Sequence, residues 1–580
     1  MVAHNRWRRM GAGVLACAVL GAFVAGGAGG VAGASVAAGR AAPGSALQRA
    51  WDAALAGPRL QHALIGAVAY DVTTGKTLAA VHADWRLTPG SVDKLYTTAA
   101  SLADWGSRFS LVTRVDQVRA GGPVYLVGGG GIFGAAIGQP GSGNAGLEQL
   151  ARAVAARMHH GASRVVGVGA LFSGWTAGPG WDISEVGGGG DPAVLALTSD
   201  GDDVVATVAA GPRAGSKPVV RLDAADPALV PPGFFRIDDD AVTGPAGAHG
   251  TLYARCVPGT DTIVISGIKP LGSSPVPEYL AIGNPSLFTA ALFQHYLAQD
   301  GVRLARPAST GALPAGAREL YSYRWPQSLG GYLHAQNGWS VNQMAENLYR
   351  MLGVATGGTG SPQDAQAAIT AYLARAHLPQ DRVQVDGSGL SVLDEMSAAQ
   401  LVGLLGYVAH QPYFTTFEHS LIAIGRTSHC TFMCGLMDGT AADGHVWLKT
   451  GNLANQWNYA GYAHARNGDL IAFALLFDGL QGNNPFGQAI GPIDRMTVDA
   501  ASWPDEPHAG TAAPAPGGGS LPGSVAAVLP ASVAEAVRRG YSPGDVVSAS
   551  VVRVATGTVI AQSNGQTELQ GGLLGRLATV

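Results

Sequence analysis

The chain reads as an α/β or α+β protein, one antiparallel sheet flanked by helices, assembled from both ends of the chain and interrupted by a large insertion. Three observations predict this. "HALIGAVAYDVTTGKTLAAVHAD" near the N-terminus gives two apolar-rich strands around a T-T-G-K turn. "GHVWLKTGNL", "YAGYAHARNG" and "DLIAFALLFDG" give three more strands with short turns, far along the chain. Between these two groups, roughly residues 106–324 alternate short strands, Gly clusters and helical pieces such as "GLEQLARAVAARM".

Taken in order, residues 1–34 read as an export signal. Arg6, Arg8 and Arg9 precede the apolar run "MGAGVLACAVLGAFVA" and the small-residue stretch "AGAS", with cleavage expected after Ala34. The rival is an uncleaved anchor, because residues 10–39 carry no charge; repeated Gly and Ala weigh against it. "VLAC", ending at Cys17, follows too short an apolar stretch for a lipoprotein site. Either way the body is expected outside the cytoplasm, in the periplasm or cell envelope.

Residues 46–105 form the first part of the main domain. They hold a short helix over Leu47–Leu55, the hairpin, the break "LTPGS", and a helix "SVDKLYTTAASLADW" with Ser91 in its first turn. Residues 325–503 form the second part. "LGGYLHAQNGWSVNQMAENLYRMLG" and "MSAAQLVGLLGYVAHQ" are helical in period, and "GQAIGPIDRMTVDAASW" follows the three strands as a last helix. Residues 504–523 are a Pro/Gly/Ser/Ala linker. The tail, 524–580, echoes residues 66–98 when Gly557 is set on Gly75, with Leu573 opposite Ser91 and Arg576 opposite Lys94. Two readings stand: any strand–TG–strand unit looks like this, or the tail is a degenerate copy that has lost its reactive pair and carries no chemistry.

Composition excludes some functions. The net charge of −4, with no long basic stripe, gives no case for nucleic acid. The "GGGG" runs at 128–131 and 187–190 lack the G-K-[ST] ending of a phosphate loop and read as turns. His159 and His160 read as a solvated helix end. Beyond the signal there are three cysteines. Cys430 and Cys434 in "HCTFMC" are spaced for a small disulfide, leaving Cys256 as an odd thiol. A zinc site from His429, Cys430, Cys434 and His445 has suitable ligand types but lacks paired spacing. No metal or other cofactor is expected.

Lysine is the residue to follow. Of 36 basic residues only Lys76, Lys94, Lys217, Lys269 and Lys449 are lysine. Arginine is a permanent cation, whereas a lysine amine loses its proton when desolvated. Lys94 lies three residues after Ser91 at a helix start, so both side chains can project from one face. A serine hydroxyl needs an adjacent base to become a nucleophile, and a neutral amine can be that base. S-x-x-K alone is weak: Ser266 and Lys269 in "VISGIKP" match it too, but the neighbours read as strand and Pro270 disfavours helix at Lys269.

Two further motifs raise Ser91 above that control. "SVN", Ser340 to Asn342, offers a hydroxyl and a carboxamide at the start of "QMAENLYRML". "KTG", Lys449 to Gly451, lies on an edge strand before a hairpin. Its lysine and Thr450 suit a carboxylate, and the glycine lets a substrate backbone lie close. The order S-x-x-K, S-x-N, K-T-G, each in its expected element, is a strong signal. For these residues the bland alternatives are helix caps, a solvated first-turn lysine and an edge-strand charge.

On these motifs the chain resembles the penicillin-recognising serine enzymes, and more closely the low-molecular-mass class C penicillin-binding proteins, a D-alanyl-D-alanine carboxypeptidase/endopeptidase family. "VYLVGGGG", "LFSGWTAGPGWDI", "VDGSGLS" at 385–391 and "PIDRMTVDAA" extend the likeness over roughly residues 47–500, as does the long separation of Ser91 from Ser340. The resemblance implies a β-lactamase/transpeptidase-like domain with an inserted domain, acting on peptidoglycan stem peptides and acylated by β-lactams. It implies Ser91 as nucleophile, Lys94 as base, Ser340 and Lys449 as a proton relay, and Asn342 holding the acyl-side amide. Thr450 would bind the terminal carboxylate, and the backbone N–H of Ser91 with one from the Lys449 strand would form the oxyanion hole. Asn452 stands where the family often has a second hydroxyl for the carboxylate, and Val341 where it often has Asp or Asn. The alternatives are a β-lactamase or esterase on the same scaffold, or a non-catalytic wall-binding scaffold. Asp386 and Ser388 receive no role, and the oligomeric state is not legible.

Overall fold

The computed structural model describes residues 45–133, 145–182, 193–199, 202–224, 230–231, 233–257, 259–425, 433, 435–481, 484–504, 547–553 and 558–565. The signal segment, Cys430 and Cys434 lie outside them.

The main domain is built from helix α1 (Ala46–Leu55), strands β1 (Leu64–Asp71) and β2 (Lys76–Val81), helix α2 (Lys94–Trp105), helices α3 (Leu329–Gly338), α4 (Asn342–Ala355), α5 (Pro362–Arg375) and α6 (Ala398–Val408), strands β3 (Ile422–Ala423), β4 (Val446–Leu453), β5 (Gln456–His464) and β6 (Leu470–Asp478), and helix α7 (Pro485–Ala501). Its sheet runs β2-β1-β6-β5-β4-β3, antiparallel throughout. Strands from both ends of the chain therefore share one sheet, as the apolar runs imply. β1 and β6 pair over Leu64↔Asp478 to Asp71↔Ile471, which closes the insertion between them.

The period-2 alternation of a strand splits the core into two layers. On β6, Ala472, Ala474 and Leu476 pack with Leu95 and Ala99 of α2 and Leu401 and Leu405 of α6. Ile471, Phe473, Leu475 and Phe477 face the other way, onto Trp51 of α1 and Met496 of α7. Trp51 is fully buried and donates its indole N–H to the Met496 carbonyl at 3.0 Å. The helices start where side chains satisfy their orphan N–H groups: Ser361 with Asp364, and Ser397 with Gln400, form reciprocal capping boxes on α5 and α6.

The inserted region has a core of its own, in which Leu147, Leu150, Phe288 and Phe293 of its helices pack on strand residues such as Val115, Leu126 and Val204. It carries a five-stranded sheet in the order 309–310, 165–168, 124–127, 112–117, 318–324. It meets the main domain along α4. Asn347 donates to the Gly130 carbonyl at 3.0 Å, and Arg350 donates to the Ser173 and Trp175 carbonyls at 3.0 and 2.9 Å.

In the tail, strands Val547–Arg553 and Thr558–Gly565 form an antiparallel hairpin pairing Arg553↔Thr558, Val552↔Val559 and Val551↔Ala561. Setting Gly557 on Gly75 turns these pairs into Asp71↔Lys76, Tyr70↔Thr77 and Ala69↔Ala79 of β1–β2, with the register irregularity at the same step. Residues opposite Ser91 and Lys94 lie outside the described chain.

Candidate active site

The expected helix at Ser91 begins differently from its pattern. Gly90–Asp93 form a 3₁₀ turn, and the α-helix opens only at Lys94. In a 3₁₀ turn, side chains at i and i+3 eclipse each other. Ser91 and Lys94 are therefore stacked, with Lys94 Nζ 2.9 Å from Ser91 Oγ.

The continuous helical period over "LGGYLHAQNGWSVNQMAENLYRMLG" is broken in two. α3 ends at Gly338, and Ser340 takes φ +56, a left-handed conformation uncommon for a residue with a Cβ. α4 then starts at Asn342. The break turns both side chains of the S-x-N motif into the site. Asn342 Oδ1 accepts from Lys94 Nζ at 2.7 Å, and Ser340 Oγ accepts from Lys449 Nζ at 2.8 Å.

Lys449, Thr450 and Gly451 lie on β4, which is edge-like where it matters: β3 pairs only with Trp447 and Leu448. Thr450 is buried beside Lys449, and its carbonyl accepts from Lys449 Nζ at 2.9 Å. A Cβ on Gly451 would lie 2.2 Å from the Pro89 carbonyl oxygen, so glycine here also lets the Ser91 turn lie against the strand. Gly90 has φ +54, and a Cβ there would stand 2.7 Å from the Asn452 backbone nitrogen. The backbones around Ser91 and Asn452 thus converge.

The electrostatics suit a base. Lys94 is fully buried, and desolvation pulls it from its ordinary 10.5 to about 8, against the opposing charges of Asp386, Glu346 and Asp93. Lys449, equally buried, is held well below its ordinary value by desolvation and then by the charge of Lys94. Lys94 Nζ has three partners: Ser91 Oγ, Asn342 Oδ1 and the Ser388 carbonyl at 2.6 Å. Two of these can only accept. A neutral amine gives them its two N–H bonds and leaves its lone pair for the Ser91 hydroxyl.

Ser91, Lys94, Asn342, Ser340 and Lys449 are brought together, with Thr450, Gly451 and Asn452 alongside. The control pair behaves as a control: Lys269 Nζ bonds the Ser274 carbonyl, and its strand, Ile268–Pro270, lies beyond the end of the one that holds Ser266. Among the described residues Cys256 forms no disulfide; it is a buried thiol, its acidity lowered by burial. The proposed disulfide of Cys430 with Cys434, and three of the four zinc ligands, lie outside the described residues; His445 is exposed. Sequence reasoning missed the Ser388 carbonyl and the carboxylates behind it. The signal was present in Asp386-Gly-Ser-Gly, since an Asp before such residues turns the backbone through its own side chain.

Residues 47–499 match the model of the D-Ala-D-Ala carboxypeptidase 3 (S13) family. The chain is 29% identical over 454 residues to a D-alanyl-D-alanine carboxypeptidase of Actinomadura sp. (strain R39), covering 75% of this chain and 81% of the relative. It is 26% identical to carboxypeptidase DacB of Mycolicibacterium smegmatis, covering 78% and 82%. In fold it matches penicillin binding protein 4 (dacB) of Haemophilus influenzae with a TM-score of 0.63 at 17% identity, over 77% of this chain and 98% of that one. That protein has also been solved in complex with a β-lactam.

Proposed function

The chain belongs to the D-Ala-D-Ala carboxypeptidase 3 (S13) family and is a serine-type D-Ala-D-Ala carboxypeptidase, and we propose that it cleaves peptidoglycan stem peptides through an acyl-enzyme on Ser91. One observation carries the assignment of roles. The buried Lys94 amine has two acceptors that cannot donate, so in its neutral form its lone pair faces the Ser91 hydroxyl.

Lys94 takes the Ser91 proton as Oγ attacks the carbonyl of the penultimate D-alanine. The oxyanion is received by the backbone N–H of Ser91 and one from the segment around Asn452, where the two backbones converge. Collapse breaks the C–N bond. The leaving D-alanine takes its proton through Ser340, which Lys449 holds at 2.8 Å. Asn342, while bonded to Lys94, offers its amide N–H₂ to the acyl side of the substrate. Thr450 serves the terminal carboxylate, and water then hydrolyses the ester. The same steps cut a cross-link when the leaving amine belongs to a second stem peptide. Penicillin acylates Ser91 by the same attack, the β-lactam C–N bond opening as the ester forms.

The test is incubation of the full chain with a fluorescent penicillin, followed by intact mass over time. A lasting single adduct that Ser91→Ala abolishes supports the reading. An adduct that clears within seconds indicates a β-lactamase, and no adduct at all indicates a non-catalytic wall-binding scaffold.

A further inference from the structure

The 386–391 segment is built around one carboxylate. Asp386 Oδ1 accepts from the backbone N–H groups of Ser388 at 3.0 Å and Gly389 at 2.6 Å. Its Oδ2 accepts from the Ser391 N–H and from the Trp181 indole N–H, both at 2.8 Å. Four donors converge on a side chain that is 1% exposed. Both oxygens of Asp386 therefore act as acceptors, and the loop is wound around them.

Its neighbours differ. One oxygen each of Asp93, Asp386 and Asp394 lies within 4.8 Å of the other two, in a buried pocket. Carboxylates at that spacing disfavour one another's ionisation. Among the described residues, Asp93 Oδ1 has no hydrogen-bond partner. Burial first, and the charge of Asp386 second, push Asp93 and Asp394 well above the carboxylate range. Glu346, which accepts from the Gly387 N–H at 2.8 Å, is raised to about 7 by the same two causes. The loop wound on Asp386 delivers the Ser388 carbonyl to Lys94 Nζ.

We propose that Asp386 is a positioning residue for Lys94, and that Trp181 of the inserted region fixes it in place. The proposal rests on the reading of Lys94 as the base. Asp386 holds the carbonyl that occupies one Lys94 N–H, which keeps the lone pair on Ser91. Its charge also favours the ammonium that forms when Lys94 takes the Ser91 proton. The groups facing Lys94 are Ser91 and Asp93 from its own turn, Asn342 and Glu346 from α4, Asp386 and Ser388 from the loop, and Lys449 from β4; Arg382 acts on Asp93, and Arg350 on Glu346. Through Trp181 the inserted region becomes part of the acylation machinery, in addition to any contact it makes with substrate.

Asp386→Asn and Trp181→Phe test this in the full chain, with the acylation rate by fluorescent penicillin measured across pH and melting temperature recorded alongside. Trp181→Phe removes the indole N–H and keeps an aromatic side chain at the position. It is expected to slow acylation about tenfold, since small misplacements of a reacting group cost up to about 100-fold. Asp386→Asn is expected to slow it further and to move the acid limb of the rate profile to lower pH, because the charge favouring the Lys94 ammonium is gone. A purely structural residue would leave that limb where it is. If both variants fold and acylate at the wild-type rate with an unmoved limb, the positioning role is wrong while Lys94 remains the base. If Lys94→Arg acylates like the wild type, the base reading itself fails, and this proposal with it.

Discussion

Ser340 places its hydroxyl 2.8 Å from Lys449 Nζ while its own backbone sits at φ +56. The conformation is the means of placing the group: a right-handed residue there would carry the helix on from α3 into α4 and turn the hydroxyl elsewhere. Left-handed geometry costs a residue with a Cβ about 1 kcal/mol or more, and glycine almost nothing. Ser340→Ala and Ser340→Gly both remove the hydroxyl, and both are expected to slow turnover of a D-Ala-D-Ala peptide by about 100-fold. Their stabilities should separate, with the glycine variant more stable than the alanine variant by about 1 kcal/mol. Denaturant melts of equal midpoint would show that the turn carries no strain.

Acylation should depend on pH through Lys94. The base is the neutral amine, and burial leaves Lys94 titrating at about 8. The penicillin acylation rate is therefore expected to level off above pH 8 and to fall about tenfold per unit below it. Lys94→Arg keeps a cation that cannot give up its proton, so it should show no acylation at any pH in this range. A flat profile from pH 6 to pH 9 would rule out Lys94 as the group whose deprotonation starts the reaction.

Much of this site was legible because its signals are local. Ser91 and Lys94 sit one turn apart, Ser340 and Asn342 two residues apart, and Lys449 on a strand whose alternation is plain. The sheet was legible for the same reason, since β1, β2 and β4 to β6 are apolar runs bounded by turn residues. Three features were not legible, each for a physical reason. The break at Ser340 rests on a left-handed serine, and the apolar period runs through it undisturbed. The role of Gly451 depends on Pro89, 362 positions away in the chain (roughly the span of the whole insertion and more), and a close approach leaves no mark in composition. The Trp181–Asp386–Lys94 chain joins three segments that only the fold brings together, so the "DGSGLS" stretch could be noticed without its target being known.

Gly451→Ala should damage the site without touching a reacting group. The added methyl would stand 2.2 Å from the Pro89 oxygen and 2.9 Å from the Val92 nitrogen, both backbone atoms with little room to move. Overpacking of this kind costs about 1–3 kcal/mol. The Ser91 turn would shift away from β4, carrying the nucleophile from the Asn452 backbone. Acylation is expected to fall together with melting temperature. A variant with wild-type acylation would mean that the turn and strand tolerate separation, and that the K-T-G glycine serves some other purpose.

The inserted region offers a separate test of burial. Glu278 is 5% exposed, its Oε1 has no partner among the described residues, and desolvation raises it from 4.5 to about 8 despite the opposing charge of Lys269. Between those two values the folded chain holds a proton at Glu278 that the unfolded chain has released. Stability from this group is therefore complete below pH 4.5, falls as pH rises, and is lost above pH 8. Glu278→Gln has nothing to titrate. Its melting temperature, measured relative to the wild type, is expected to climb steadily from pH 5 to pH 8. A gap between the two proteins that stays constant over that range would mean that Glu278 is ionised in the folded state throughout, with the Lys269 ammonium offsetting its burial.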